Sequence, residues 1–278
     1  MSKQRLHGKA WLLLLFRLQG KVAIITGASS GIGAEAARIF VENGAYVVIA
    51  DINDQLGHQV ATSIGLDKVS YHHCDVKDEK QVEETVAFAV EKYGTLDIMF
   101  SNAGITGQNS TILDYDLDAF DNTIAVNLRG ATAAIKHAAR VMVAKKIRGS
   151  IICTASVAAS VGGCADHDYT ASKHGLIGLM RSTCGELGAY GIRVNCISPY
   201  AVATPLACKA HNMKPSEIEA ICTDFANLKG ITLKTTHIAE VALFLASHES
   251  AYISGQDLVV DGGFLAINRC LPTGHDNP

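Results

Sequence analysis

An open, doubly wound α/β domain on seven parallel strands is the fold this chain predicts, and three observations carry it. From Lys21 onward, short apolar runs rich in β-branched residues alternate with longer segments of helical period. The runs are apolar almost throughout, which suits a parallel sheet with helices on both faces. The first run leads straight into a glycine-rich turn and then a helix, the opening of a βαβ unit. No composition shift or linker divides the 278 residues. They read as one domain over 21–278 behind a flexible extension over 1–20.

In chain order, the extension comes first. Its "AWLLLLF" at 10–16 follows a basic stretch in the manner of a signal peptide, but Arg17 stands where a small-residue cleavage site belongs. The run is far too short to span a bilayer, which leaves at most a peripheral membrane contact and no stable insertion. "RLHGKA" at 5–10 is echoed by "RLQGKV" at 17–22, and only the second copy feeds a strand. The strand candidates are "VAIIT" (22–26), "YVVIA" (46–50), "VSYHH" (69–73), "LDIMF" (96–100), "SIICTA" (150–155), "RVNCIS" (193–198) and "DLVVD" (257–261). Between them lie segments such as 81–93, where Val82, Val86, Ala89, Val90 and Tyr93 form one apolar stripe.

Composition removes several function classes. With 48% hydrophobic and 18% charged residues the chain buries a sizeable core. A net charge of −3 gives no footprint for nucleic acid. Eight cysteines without a C-x-x-C pair read as reduced, mostly buried thiols of an intracellular, cytoplasmic protein. The adjacent His72 and His73 of "YHHCD" point to opposite faces of a strand and cannot share an ion, so no metal site is expected.

Ligands of such sheets sit beyond the carboxyl ends of the strands, near the point where strand order reverses. The first strand ends in "TGASSGIG", 26–33. Gly27, Gly31 and Gly33 permit a tight turn and close backbone approach, with Ser29, Ser30 and Ile32 beside them. The next helix N-terminus adds its positive end, a ready pyrophosphate site. The second strand ends at Asp51, about 20 residues on, where a carboxylate accepts from both ribose hydroxyls of an adenosine. No cation among Ala28, Ser29, Ser30, Ile52 and Asn53 offsets the repulsion of a 2′-phosphate, so NAD is the expected cofactor over NADP. Asp75 and Val76 end the third strand, placing an acceptor for the adenine amino group. Asn102, Ala103 and Gly104 end the fourth with small residues that pass beside the adenosine.

"YTASK" at 169–173 puts a tyrosine and a lysine on one helix face, which alone describes an ordinary surface helix. Together with "TGASSGIG", "SNAG", Asn127 in "VNLRG", Ser156 after the fifth strand and "NCISP" at 195–199, it resembles the short-chain dehydrogenase/reductase superfamily in order and spacing. The resemblance spans Lys21 to Gly263. It implies a Rossmann fold and a catalytic tetrad of Asn127, Ser156, Tyr169 and Lys173. Such chemistry removes the hydroxyl proton of a secondary alcohol while hydride leaves its carbon. Free tyrosine, with a pKa of about 10, is a poor base. An ammonium one turn away lowers that value. Ser156 then holds the substrate oxygen, Asn127 anchors a water that links Lys173 to solvent, and Lys173 also binds the nicotinamide ribose.

One departure stands out: Pro199-Tyr200 replaces the family's Pro-Gly after the sixth strand. The family pattern still implies that Val202 and Thr204, after Pro199, hold the nicotinamide carboxamide. "SPYAVATPLA", "ANLKG" at 226–230 and "HAARVM" at 137–142 resemble the plant secondary-metabolism branch. That branch includes secoisolariciresinol, xanthoxin, borneol and isopiperitenol dehydrogenases and momilactone A synthase. Loops 105–113, 157–167 and 200–229 shape the substrate pocket. The last carries Leu206, Met213, Ile218, Ile221 and Phe225, which form either a mobile lid or the core of a short helix pair. Without a cation to anchor a carboxylate, a small apolar alcohol or ketone of terpenoid type, borneol-like, fits better than a sugar acid. A lignan, steroid or sesquiterpenoid alcohol is the alternative, as is a non-redox cyclase or isomerase that retains NAD. His167 either caps its helix or meets substrate. The resemblance further implies a homotetramer with interfaces around 116–145 and 168–188.

Overall fold

The structure is a computed structural model and describes residues 16–267. All seven expected strands are present: β1 (Val22–Thr26), β2 (Tyr46–Asp51), β3 (Val69–His73), β4 (Ile98–Ser101), β5 (Ser150–Thr154), β6 (Arg193–Pro199) and β7 (Asp257–Val260). They form one parallel sheet in the order β3-β2-β1-β4-β5-β6-β7. The fourth starts two residues later than the apolar pattern suggests, because Leu96 packs below the sheet and Asp97 joins to Lys21 and Val22.

The helices are α1 (Gly31–Glu42), α2 (Asp54–Ile64), α3 (Glu79–Tyr93), α4 (Leu117–Ile124), α5 (Ala131–Ala144), α6 (His167–Leu187), α7 (Pro205–His211), α8 (Pro215–Phe225) and α9 (Thr235–Ala246). Alternation along each buried strand feeds two cores. Val22 and Ile24 of β1 join Met99 and Ile151 beneath α3, α5 and α6, while Ala23 and Ile25 join Phe100 and Ile152 beneath α1 and α9. Winding therefore reverses at β1, whose neighbours are β2 and β4, and a crevice opens at their carboxyl ends.

Local signals set the helix starts. Asn53, Asp78 and Asp116 each accept a hydrogen bond from the first turn that follows. Within 81–93 the expected stripe is buried at Val82, Val86 and Ala89, joined by Thr85; Val90 and Tyr93 lie at its margin. Of the extension expected over 1–20, residues 1–15 lie outside the described residues, as do 268–278. Leu18 is buried, and Leu18 and Gly20 donate to Asn43 and Gly44 at the end of α1. Residues 18–20 are thus part of the folded body. Among the described residues no helix is long and apolar enough to cross a membrane.

Three of the seven described cysteines are buried (Cys74, Cys153 and Cys196). The expectation of mostly buried thiols is corrected, because Cys184, Cys208 and Cys222 are half-buried on α6, α7 and α8 and Cys164 is exposed in loop 157–167. His72 meets Thr85 and Phe88 of α3, and His73 meets Asp54 of α2, so the two rings serve opposite faces.

Asn102 fastens the strand ends at the crevice. Its Nδ2 donates to the carbonyls of Thr26 (3.1 Å) and Gly27 (3.2 Å), and its Oδ1 accepts from Thr154 Oγ1 (3.0 Å). Asn102→Ala would leave partly buried carbonyls unpaired and should cost roughly 2–3 kcal/mol. Urea unfolding checks this; a loss below about 0.5 kcal/mol, the range of a neutral surface change, would deny Asn102 that role.

Candidate active site

The glycine-rich turn is shaped by close approach. Gly27 and Gly31 have φ of +63° and +56°, which favour glycine. A Cβ on Gly27 would sit 2.7 Å from Ala103 Cα, and one on Gly33 would sit 2.4 Å from the Gly27 carbonyl oxygen. A Cβ on Gly31 would meet Thr204 at 3.3 Å, so the loop after β6 closes over the turn. Ser29 is buried and Ser30 is the first-turn cap position of α1, where it makes no side-chain bond. Side-chain-free backbone before a helix N-terminus fits a pyrophosphate. Asp51 ends β2 with its carboxylate fixed: Oδ2 accepts from the Ser29 N–H (3.0 Å) and Oδ1 from the Asn53 N–H (3.0 Å). Arg38, one turn further along α1, is held by Glu35 and Glu42.

The remaining strand ends differ in availability. Asp75 accepts from the Lys77 N–H at 3.0 Å. Val76 is buried against Gly130, where a Cβ would come within 2.8 Å of it. Ile52 is largely exposed. The Asn102 amide is bonded into the sheet. Val202 is buried, and Thr204 caps α7 by accepting from the Ala207 N–H.

Across the crevice, β5 runs into Ser156 while α6 brings Tyr169 and Lys173 back to its end. Lys173 is 3% exposed, and its Nζ donates to the Thr154 carbonyl at 2.8 Å. The ammonium lies 5.4 Å from the centre of the Tyr169 ring. Burial pushes Lys173 down to about 8. Burial also pushes the Tyr169 phenol up, and its hydrogen bond with Ser156 opposes that. Burial is thus the leading influence on the phenol in the cofactor-free chain.

Asn127 sits in a π-helical segment, Ala125–Gly130, between α4 and α5. Its Nδ2 donates to the Ile105 carbonyl (3.0 Å) and Ser172 Oγ (3.1 Å), and Oδ1 accepts from the Ile105 N–H (2.9 Å). Ser172 in turn donates to the Tyr169 carbonyl. A Cβ on Gly104 would lie 3.3 Å from Asn127 Oδ1 and 3.6 Å from Lys173 Nζ, so this glycine keeps the space between them open.

After β6, Tyr200 donates its backbone N–H to the Val260 carbonyl and lays its ring on Phe264, with centroids 4.6 Å apart. The side chain thus serves packing between β6 and the segment after β7. A cavity of about 520 Å³ is lined by Val161, Gly162 and Cys164, by Phe225 of α8, and by Phe264 and Leu265. Phe264 and Leu265 had no periodicity to reveal them; only the turn after β7 brings them to loop 157–167. Of Leu206, Met213, Ile218, Ile221 and Phe225, Ile218 alone is buried, and Phe225 is 66% exposed. His167 is the first residue of α6, after Asp166 at the cap position, and stands edge-on to Tyr115.

An open, doubly wound sheet with a glycine cradle after β1 and serine, tyrosine and lysine gathered at the end of β5 defines an oxidoreductase with a nicotinamide cofactor. The chain belongs to the short-chain dehydrogenase/reductase family, and the family profile described as enoyl-(acyl carrier protein) reductase matches residues 27–265. It is 60% identical to short-chain dehydrogenase reductase 3b of Arabidopsis thaliana, over 90% of this chain and 98% of that one. It is 52% identical to momilactone A synthase of Oryza sativa subsp. japonica, over 91% and 92% of the two chains. It is 49% identical to (+)-cis,trans-nepetalactol synthase NEPS2 of Nepeta racemosa, over 92% and 97%. The crystal structure of levodione reductase superposes with a TM-score of 0.84 at 30% identity, covering 91% of this chain and 100% of that one. These relatives agree with a plant secondary-metabolism branch of the family.

The buried ammonium has a measurable consequence for stability. Between pH 8 and the ordinary lysine value near 10.5, the unfolded chain holds the Lys173 proton more tightly than the folded one. Stability contributed by this residue therefore rises with pH through that window. Lys173→Met should remove this rise and leave the pH 7 melting temperature no lower than that of the parent. Melting curves from pH 7 to 10.5 test it; identical pH profiles for parent and variant would contradict it.

Proposed function

We propose that the chain is an NAD-dependent dehydrogenase that oxidises a cyclic secondary alcohol, a terpenoid such as a borneol-like monoterpenol, to its ketone. The observation that carries this reading is the grouping of the Ser156 hydroxyl, the Tyr169 phenol and the buried Lys173 ammonium beside the glycine cradle. Ser156 holds the substrate oxygen, and Tyr169 Oη takes the hydroxyl proton. Lys173 steadies the phenolate so formed, and the open space at Gly104, bordered by Asn127 Oδ1, gives the proton a way onward. When bound, the nicotinamide supplies the hydride acceptor. Gly27, Ser29, Ser30, Gly31, Ile32 and Gly33 would hold the pyrophosphate, Asp51 and Ile52 the adenosine ribose, and Asp75, Val76, Asn102, Ala103 and Gly104 the adenine side. Lys173, Tyr169, Pro199, Val202 and Thr204 would hold the nicotinamide end. The fixed carboxylate of Asp51, with Arg38 engaged elsewhere, favours NAD over NADP.

The apolar lining at Val161, Phe225, Phe264 and Leu265 supports an alcohol without charge. The exposed apolar residues of α7 and α8 support closure of 200–229 as a lid over it. The names of the rice and Nepeta relatives support a terpenoid. We further read the protein as a cytoplasmic homotetramer, on the family resemblance. A screen of cyclic secondary alcohols with NAD and with NADP, followed at 340 nm, tests the assignment. Product without NADH would favour the cyclase reading that the nepetalactol synthase relative raises. Tyr169→Phe should lower NADH formation by roughly 10²–10⁴-fold. Retained turnover in that variant would refute the role given to the phenol.

A further inference from the structure

Asp168, immediately before Tyr169, is 0% exposed. Carboxylates are seldom buried so completely unless every oxygen finds a partner. Here the partners come from separate segments. Oδ1 accepts from the backbone N–H of Tyr169 at 2.7 Å, in the first turn of α6, where the positive helix end favours a negative charge. Oδ2 accepts from Thr123 Oγ1 of α4 at 2.8 Å and from the Gln108 N–H of loop 105–113 at 3.3 Å. The Tyr115 hydroxyl accepts from the Asp168 N–H at 3.3 Å. Tyr115 is pushed up first by burial and then by its own hydrogen bond to the Asp168 carboxylate.

The loop fits around this carboxylate closely. A Cβ on Gly107 would lie 1.7 Å from Asp168 Oδ1, so a glycine is what lets the chain pass there. Three residues earlier than Gln108, the same loop is bonded at Ile105 to both ends of the Asn127 amide. Loop 105–113 is therefore tied at two points, by Asn127 and Asp168. Both tie points connect to Tyr169: Asn127 through Ser172 to the tyrosine carbonyl, and Asp168 to the tyrosine N–H. The short run Thr106–Gly107 between them is held across the start of α6, against Asp166 and Asp168.

We propose that Asp168 is the positioning residue that holds substrate loop 105–113 in register with Tyr169, and so sets the affinity for the alcohol and not for the nucleotide. This rests on the reading of Tyr169 given above. The charged, acceptor-only carboxylate is essential to it. An amide has one acceptor oxygen and one donor group. With its oxygen kept on the Tyr169 N–H, the amide of Asp168→Asn faces Thr123, whose hydroxyl can turn to accept. It also faces the Gln108 N–H, which cannot. The variant thus releases the loop while preserving volume and most of the cluster.

The test compares the parent, Asp168→Asn, Thr123→Val and Tyr169→Phe by hydrogen exchange of peptides covering 104–113 and by steady-state kinetics with borneol and NAD. In Asp168→Asn the loop should exchange about tenfold faster, as expected for loss of one charge-assisted hydrogen bond. KM for the alcohol should rise by a similar factor, kcat should fall far less, and KM for NAD should stay within about twofold. Thr123→Val, which keeps the charge and folds if the asparagine variant does not, should move both readouts in the same direction by a smaller factor. Unchanged exchange at 104–113 in the variants that fold would overturn the proposal. So would a rise in KM for NAD matching that for the alcohol, which would mark Asp168 as a general stabiliser. If the parent leaves borneol untouched, or Tyr169→Phe keeps its turnover, the assigned function fails, and loop exchange alone then decides the placement of the loop.

Discussion

A lysine ammonium buried at the carboxyl end of a parallel strand is the constraint around which this structure is arranged. Lys173 Nζ reaches the Thr154 carbonyl, left free because β5 ends there. Below it lie Cys153 and Cys196, paired in register on β5 and β6, with the Cys196 thiol pushed well up by its bond to Cys153 and by burial. The floor under the lysine is therefore sulfur, and among the described residues Lys173 makes no salt bridge. Such a site raises the free energy of the ammonium, which is why its proton is held less firmly than a surface lysine's. The charge is left to act on whatever negative group forms beside it, and Tyr169 is the group in reach.

Several residues gathered at the crevice also hold the fold together. The Asn127 side chain ties loop 105–113 to Ser172, and Asn102 joins the ends of β1, β4 and β5. The π-helical segment at Ala125–Gly130 places Asn127 inward without breaking the path from α4 into α5. Placing the site on strand ends and helix starts fixes its geometry, while the apolar surface of α7 and α8 remains outside the core.

The strands and their order of reading were legible because their apolar runs are continuous and the sheet is covered on both faces. Likewise, the glycine turn announced itself through spacing: each of Gly27, Gly31 and Gly33 answers a close approach that a side chain would block. What the sequence hid was long-range. Asp168 carries no sequence signal of its role, since nothing nearby in the chain shows that Thr123 and Gln108 fold onto it. Phe264 and Leu265 gave no pattern that would carry them to loop 157–167. The spacing of Tyr169 and Lys173 puts them on one helix face but does not encode their burial, which is the leading influence on both groups. The position of Asn102 at a strand end suits a cofactor contact; that its amide also joins the ends of β1, β4 and β5 is a long-range feature its neighbours in the chain do not show.

The most direct test of this account is the titration of Lys173 itself. With ¹³C-labelled lysine, the ε-methylene signal assigned by comparison with Lys173→Met can be followed by NMR from pH 6 to 11. Burial over the Thr154 carbonyl predicts a midpoint near 8 in the cofactor-free protein. A midpoint at the ordinary lysine value of about 10.4 would contradict it, and with it the claim that the site is organised around a destabilised ammonium.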